Sequence, residues 1–229
     1  MLLNSKTIAQ MIDLSCVQTK CCEDDIREMV ETAFQYGIGH VTTLQCFLPF
    51  TRDLIEFHPG IHLVGNVSFP SGSDSTSLKV LQAKEMAEMK CDEIDMVINI
   101  GKLRSGADNE VEADIHAVVE TAKPIPVKVI IEVSYLTEAE IIRACGLVIK
   151  AGGAFVKTGT GWGSRGTTVE DIKLIKSVVG DQVQIKASGG IRDLDTLVEM
   201  YRQGARRFGV NLKSGKEILD YCIDTNFTL

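Results

Sequence analysis

The segments AFVKTGT (154–160) and VQIKAS (183–188) are two short β-rich runs, and a helical pattern over residues 169–178 separates them. Lys157 and Lys186 lie late in these runs, each before a turn that contains glycine. About one strand-plus-helix unit separates the lysines, so a parallel α/β fold would place them at equivalent heights on neighbouring strands. Because a buried ammonium group is costly, such a pair usually persists where one cation lowers the pKa of the other. The pattern therefore indicates a neutral amine that can attack a carbonyl group.

Outward from this unit, β-rich runs and helical patterns alternate along the chain. The β-rich runs predict eight strands, at residues 12–15, 40–45, 62–69, 93–99, 127–134, 154–160, 183–188 and 207–212. Apolar residues at helical spacing predict helices at residues 26–34, 76–89, 109–122, 138–150, 169–178 and 194–203. We expect residues 1–229 to form one α/β domain, a single (β/α)8 TIM barrel, although a doubly wound sheet would give a similar alternation.

Polar residues occupy one face of several predicted strands. Asp95, Lys128 and Lys186 alternate with apolar residues that we expect to face the helices. A purely structural barrel interior would carry branched apolar residues there, so the polar face predicts a catalytic interior. Each lysine taken alone could instead be a cation that reaches solvent, and Asp95 could serve only as a counter-ion. In a functional role, Asp95 could hold a water molecule and transfer protons.

Glycine-containing turns follow predicted strands seven and eight. In many barrels these loops bind phosphate through backbone N–H groups. Arg192 and Lys213 would add positive charge, although either could equally be a solvated surface residue. The candidates for phosphate binding in these turns are Gly189, Gly190, Arg192, Gly209 and Asn211.

The composition limits the class of protein. The net charge is −7 and the pI is about 5.2, which argues against a nucleic acid or an anionic membrane as the main partner. Because the sequence shows neither a signal-peptide pattern nor an apolar run long enough to span a membrane, we expect a soluble cytoplasmic protein. The seven cysteines indicate free thiols, and the four histidines lack metal-ligand spacing, so no metal site is predicted.

Four motifs resemble those of the deoxyribose-phosphate aldolases, class I aldolases with a barrel fold. They are DEIDMVINIG (92–101), VKVIIE (127–132), FVKTGTG (155–161) and KASGGIR (186–192). The resemblance extends over most of the chain, from Asp13 to about Gly209. It implies a small phosphorylated sugar as substrate, no metal or organic cofactor, and a homodimer.

The resemblance also implies roles for individual residues. Lys157 would form a Schiff base with acetaldehyde, Lys186 would perturb the pKa of that lysine, and Asp95 would relay protons through water. Asp13, in the setting Asp-Leu-Ser, matches an aspartate of the family, and it joins Gly161 among the candidates for binding substrate. The implied reaction is the reversible cleavage of 2-deoxy-D-ribose 5-phosphate to D-glyceraldehyde 3-phosphate and acetaldehyde.

The sequence departs from the family pattern in the substrate-binding turns. The last turn has Gly209-Val210-Asn211-Leu212 where the family commonly has a hydroxyl-rich phosphate loop, so an amide and an apolar group replace two hydroxyl donors. One alternative is therefore the same Schiff-base mechanism acting on a different phosphorylated sugar. Another is a phosphosugar-binding barrel without covalent chemistry.

Overall fold

The computed structural model describes residues 2–229, and its central feature is a closed barrel of eight parallel strands. The strands follow one another around the barrel in chain order, and β8 pairs with β1 to close it. This arrangement confirms the (β/α)8 prediction and excludes the doubly wound sheet. The strands are β1 (Ile12–Cys16), β2 (His40–Thr43), β3 (His62–Val67), β4 (Glu93–Val97), β5 (Val127–Ile130), β6 (Phe155–Lys157), β7 (Gln184–Ser188) and β8 (Arg207–Asn211).

Within residues 2–229, ten helices surround the barrel. They are α1 (Ser5–Met11), α2 (Glu23–Tyr36), α3 (Leu48–Ile55), α4 (Thr76–Glu88), α5 (Ile100–Arg104), α6 (Asp108–Ala122), α7 (Glu138–Lys150), α8 (Val169–Val179), α9 (Leu194–Arg202) and α10 (Leu212–Asp224). All six predicted helices are present, whereas α1, α3, α5 and α10 were not predicted individually. Three of these four have eight residues or fewer, which is too short for a clear apolar period. None of the helices within residues 2–229 is both long and apolar enough to cross a membrane.

Local sequence signals fix where several helices begin and end. Thr137 and Glu140 form a reciprocal capping box at the start of α7, and Thr168 and Asp171 form another at the start of α8. Gly37, with φ of 68°, ends α2 in the left-handed conformation that glycine adopts without steric cost. These caps orient the helices that return the chain to each successive strand.

Several strands end earlier than their sequence predicts. The run 127–134 contains only the four residues of β5, after which Glu132 adopts a positive φ of 57° and a short 3₁₀ turn follows at Val133–Tyr135. The run 154–160 likewise contains only the three residues of β6. The residues beyond these strand ends instead form the loops at the carboxyl mouth of the barrel, where the candidate site lies.

The barrel separates apolar from charged residues by strand phase, as predicted. Ile94 and Met96 on β4 belong to the buried apolar core. Asp95, between them, is fully buried and lies within hydrogen-bonding distance of lysines on β5, β6 and β7. The alternation of a strand thus directs the charged residue of β4 into the barrel interior.

Candidate active site

Strand register brings the two lysines of the opening segments side by side. Lys157 on β6 and Lys186 on β7 are direct Cα partners, which confirms the prediction that they lie at equal heights. On the preceding pair of strands, Asp95 is the partner of Lys128. Four ionisable residues from neighbouring strands therefore meet in the barrel interior.

Asp95 lies at the centre of this group and contacts all three lysines. Its Oδ2 atom accepts hydrogen bonds from Lys157 Nζ at 2.7 Å and from Lys186 Nζ at 2.8 Å. Its Oδ1 atom accepts one from Lys128 Nζ at 3.2 Å. Among the three lysines, Lys157 has the most exposed side chain, at 8%, against 1% for Lys186 and 0% for Lys128. Lys157 is therefore the lysine most accessible to a molecule entering from the mouth.

A second layer of charges supports Asp95 and its lysines. Asp13 on β1 accepts hydrogen bonds from Lys186 and from Arg207 of β8. Glu93 lies 2.5 Å from Lys128 Nζ and 3.0 Å from Arg207 Nη2. With every group ionised, the network holds four cations and three carboxylates and so carries one excess positive charge. Its members are Lys128, Lys157, Lys186, Arg207, Asp13, Glu93 and Asp95.

The excess charge and the burial together determine which groups hold their protons. Burial alone would raise the pKa of Asp95, but the three neighbouring ammonium groups outweigh it and hold that pKa well below its usual range. Burial would lower the pKa of Lys128, yet Asp95, Asp13 and Glu93 raise it overall. For Lys186, burial prevails and lowers the pKa to about 8, with Lys157 and Lys128 acting in the same direction. Lys186 can therefore change its charge close to neutral pH.

A cleft at the carboxyl mouth of the barrel opens onto these lysines. It encloses about 670 Å³, including its open entrance. Lys213, considered above for its charge, is exposed outside the cleft, where its Nζ lies 3.8 Å from Glu217 Oε1. The other predicted residues except Asp95 line the cleft: Asp13, Lys157, Gly161, Lys186, Gly189, Gly190, Arg192, Gly209 and Asn211. Asp95 is fully buried and hydrogen-bonded to Lys157. The tertiary structure thus brings the predicted residues into one place.

Glycine is required sterically at two of the turns that form the rim. Gly190 has φ of 85°, and a Cβ atom there would lie 2.9 Å from the Cα of Gly166. At Gly209, a Cβ atom would lie 2.7 Å from the Cβ of Ser188. The side chain of Asn211 is also fixed in orientation, because its Oδ1 atom accepts a hydrogen bond from Ser214 N at 2.8 Å and caps α10. The rim is therefore built from closely packed backbone and a helix N-terminus.

Known proteins resemble this chain in both sequence and fold. Residues 8–218 match the family model described as DeoC/LacD family aldolase. The chain belongs to this aldolase family. It is 43% identical over 220 residues to the deoxyribose-phosphate aldolase of Sinorhizobium medicae, covering 96% of this chain and 89% of the relative. It is 38% identical over 221 residues to that of Thermococcus kodakarensis, covering 95% and 98% of the two chains.

Solved structures agree with the relatives found by sequence. One aldolase structure aligns with a TM-score of 0.89 at 32% identity, covering 96% of this chain and 97% of the other. A deoxyribose phosphate aldolase from Aeropyrum pernix, described as having a unique tetrameric structure, aligns with a TM-score of 0.86 at 25% identity, covering 95% of this chain and 92% of the other. This DeoC/LacD aldolase therefore shares its whole barrel with these proteins.

Several residues of the DeoC/LacD aldolase site were not among the predicted ones. Thr42, Asn66 and Phe69 line the cleft from β2, β3 and the loop after β3. Asn66 Nδ2 donates to Thr42 Oγ1 at 3.0 Å and to the carbonyl of Thr43 at 2.7 Å, so this polar wall is rigidly hydrogen-bonded. Asn66 is also the Cα partner of Asp95. Strand alternation within β3 could have identified Asn66, because Asn66 faces the barrel interior at the same height as Asp95.

Glu132 supports the loop that carries Gly161. Its Oε2 atom accepts hydrogen bonds from the backbone and the hydroxyl of Thr160, at 3.0 Å and 2.5 Å, and its Oε1 atom accepts one from Ser134 Oγ at 3.0 Å. Glu132 appeared in a family motif but was not predicted to be a site residue. Its carboxylate orients the loop after β6 that borders Lys157.

His40, at the start of β2, offers a measurable test of the charged barrel interior. Its Nε2 atom lies 3.6 Å from Glu93 Oε2, and burial lowers the pKa of His40 to about 4 although Asp13 and Glu93 act against that change. The unfolded chain, with a histidine pKa near 6.5, then binds more protons than the folded chain between these values. We expect acidification from pH 6.5 to 4 to lower the free energy of unfolding by up to about 3 kcal/mol through this group.

An NMR titration of the imidazole measures this directly. The His40 resonance should remain that of a neutral ring until the pH approaches 4. In the variant His40→Gln, the acid-induced loss of unfolding free energy should be smaller, because no imidazole remains to be protonated. A His40 resonance that titrates near pH 6.5 would contradict the buried, neutral ring.

Proposed function

We propose that this protein is a class I aldolase that reversibly cleaves 2-deoxy-D-ribose 5-phosphate to D-glyceraldehyde 3-phosphate and acetaldehyde through a Schiff base on Lys157. The observation that carries the proposal is the cleft-facing Lys157, held 2.7 Å from Asp95 beside a second buried lysine. The named relatives support the choice of substrate, since they are deoxyribose-phosphate aldolases. No organic cofactor or metal takes part in the proposed chemistry.

The first step is attack by the neutral amine of Lys157 on the C1 carbonyl of the open-chain sugar. The resulting carbinolamine loses water to give an iminium ion. The excess positive charge of the network favours loss of one proton from a lysine, because neutralising one ammonium group balances the three carboxylates. Lys186, whose pKa is lowered to about 8, can take up or release that proton beside Lys157.

Carbon–carbon cleavage follows from the iminium ion. The C3 hydroxyl loses its proton, the C2–C3 bond breaks to give the aldehyde of glyceraldehyde 3-phosphate, and the bonding electrons pass into the iminium to form an enamine. We assign the proton transfer to Asp95, acting through a water molecule with help from Lys186. Protonation of the enamine carbon and hydrolysis then release acetaldehyde and restore Lys157.

We assign phosphate binding to the rim of the cleft. Backbone N–H groups of the glycine turns and the N-terminus of α10 suit an anion, and Arg192 adds positive charge. Because the side-chain oxygen of Asn211 caps α10, its amide nitrogen is the atom we expect to donate to phosphate. The residues assigned to this role are Gly161, Gly189, Gly190, Arg192, Gly209 and Asn211.

Asp13 lines the cleft, but its carboxylate pairs with Lys186 and Arg207. A carboxylate would repel a phosphate group, so we propose that Asp13 contributes by orienting Lys186. On this assignment the aspartate is a positioning residue rather than a ligand of the phosphate.

Borohydride trapping tests the proposed mechanism and substrate together. The protein is reduced with acetaldehyde and, separately, with 2-deoxyribose 5-phosphate, and adducts are located by intact mass and peptide mapping. We expect a single adduct on Lys157 from both compounds. An adduct from acetaldehyde alone would indicate another phosphorylated sugar, which a panel of phosphosugars would then identify. No adduct on Lys157 would instead leave a phosphosugar-binding barrel without Schiff-base chemistry.

The remaining proposals concern the protein as a whole. We propose that residues 1–229 act as one catalytic domain, that the protein works in the cytoplasm, and that it forms a homodimer. The relative from Aeropyrum pernix is described as tetrameric, so light scattering on the purified protein must distinguish these assemblies. A mass twice that of the 25.0 kDa chain would support the homodimer.

A further inference from the structure

Two thiols and a carboxylate meet beside the cleft, outside the proposed catalytic network. The Sγ atoms of Cys16 and Cys21 and a carboxylate oxygen of Asp25 all lie within 4.8 Å of one another. Cys16 is the last residue of β1, Cys21 ends the following turn, and Asp25 lies in the first turn of α2. Both cysteines are free thiols, so no disulfide occupies this cluster. The aldolase chemistry proposed above uses none of the three side chains.

The donor set suits a thiophilic divalent cation. Thiolate and carboxylate are both zinc ligands, and zinc sites with three protein ligands keep a fourth position for water. In a zinc tetrahedron the two sulfur atoms lie roughly 3.8 Å apart, so the side chains need to move by no more than about 1 Å. An open groove lined by Cys16, Cys21 and Asp25 gives an ion access from solvent.

The cluster is also held in place by its surroundings. Asp25 Oδ2 accepts a hydrogen bond from the backbone of Cys22 at 2.8 Å, which orients the carboxylate. Cys16 is buried on a barrel strand, and Cys21 is half-buried. A rigid strand and a capped helix thus present the donors from two sides of a short turn.

The turn between the two cysteines reaches the catalytic cleft. Val17 and Gln18 line the cleft, and the carbonyl of Val17 accepts a hydrogen bond from Trp162 Nε1 at 3.2 Å. Trp162 follows Gly161 in the loop after β6, and Lys157 is the last residue of that strand. Any ion that ties Cys16 to Cys21 would therefore restrain a wall of the cleft.

We propose that Cys16, Cys21 and Asp25 form a binding site for one Zn²⁺ ion, which fixes the turn between β1 and α2 against the cleft. The sequence did not predict this site, because Cys16 and Cys21 lack the CxxC spacing and no histidine lies near them in the chain. The turn of residues 17–20 brings the two thiols together. This proposal is independent of the substrate of the aldolase.

Zinc titration of the reduced, metal-free protein against a chromogenic chelator measures stoichiometry and affinity. We expect one equivalent to bind, and we expect Cys21→Ser and Asp25→Asn to weaken binding by more than about 100-fold and about 10-fold, respectively. Asp25→Asn keeps an oxygen that can cap α2, so loss of the helix would not explain its effect. Cys46→Ser removes an exposed thiol elsewhere and should bind zinc as the parent does.

Two spectroscopic measurements report on the site itself. Cobalt substitution should give thiolate-to-metal charge-transfer absorption that is absent in Cys21→Ser. Trp162 is the only tryptophan in the chain, so its fluorescence should change with zinc and saturate at one equivalent. Equal binding by Cys21→Ser and the parent, or no saturable binding, would overturn the site. Zinc binding without a change in Trp162 emission would overturn the proposal that zinc fixes the turn between β1 and α2.

Discussion

The variant Lys157→Met is expected to lose about 10⁴- to 10⁶-fold in kcat/KM for 2-deoxyribose 5-phosphate, the scale on which an obligatory nucleophile acts. Methionine has a similar length but no amine, so the iminium ion cannot form and the electrons of the C2–C3 bond have no acceptor. Borohydride adducts with acetaldehyde should disappear from the same variant. Steady-state kinetics and intact mass measure the two effects.

Loss of folding should not explain that result. Removing Lys157 leaves three cations against three carboxylates in the barrel interior, so the buried charge becomes balanced. We therefore expect the thermal midpoint of Lys157→Met to equal or exceed that of the parent. Lys173→Met, on the exposed face of α8, is the matched control and should retain activity. Residual activity within tenfold of the parent would refute a Schiff base at Lys157, and mapping would then examine Lys186.

The variant Asp95→Asn is expected to reduce both stability and activity. Neutralising Asp95 raises the excess positive charge in the barrel from one to two and removes the negative charge that three buried ammonium groups share. Removing one charged partner of a buried ion pair typically lowers the free energy of unfolding by about 3–5 kcal/mol. Denaturant unfolding at pH 7 measures this cost, and kcat/KM measures the loss of the proposed proton relay.

A second buried pair provides the control for Asp95→Asn. Lys79 Nζ lies 2.6 Å from Asp114 Oδ2, and this pair joins α4 to α6 outside the barrel. Asp114→Asn should also destabilise the protein but should leave kcat/KM within about threefold of the parent, because neither Lys79 nor Asp114 lines the cleft or contacts the charged network of the barrel interior. Equal inactivation of both variants would show that Asp95 acts only through stability.

The pH dependence of stability gives a further test of Asp95→Asn against the parent. Asp95 helps to keep Lys186 protonated, so neutralising it should lower the pKa of Lys186 further below the value of about 8. A lysine whose folded pKa lies below its unfolded value of about 10.4 binds fewer protons when folded, so stability rises with pH between the two values. Between pH 7 and 9, Asp95→Asn should therefore gain more unfolding free energy than the parent does. An identical pH response in Asp95→Asn and the parent would contradict this coupling.

Much of the architecture could be predicted from local patterns. Six helices were predicted from the spacing of their apolar residues, whereas the 13-residue α10 was missed and α3 begins with Leu48-Pro49, which resembles a turn in sequence. The strand runs were found but extended too far, as in 127–134, because β-rich residues after the strand end look the same as those within it. Only the backbone conformation at Glu132 shows where β5 gives way to a loop.

The sequence alone predicted the strand–helix repeat, the inward phase of Asp95, and the equal heights of Lys157 and Lys186, because strand alternation and the strand–helix repeat are local properties of the chain. The choice of a closed barrel over a doubly wound sheet, and the identity of the charges that meet inside it, depend on the tertiary structure. Barrel closure sets β8 beside β1 and so brings Arg207 to Asp13, although the two are almost a chain length apart. The same closure buries Lys186, which lowers its pKa, and it sets Lys157 and Lys128 close enough to act in the same direction, since Coulomb interactions depend on distance in space and not on separation in sequence.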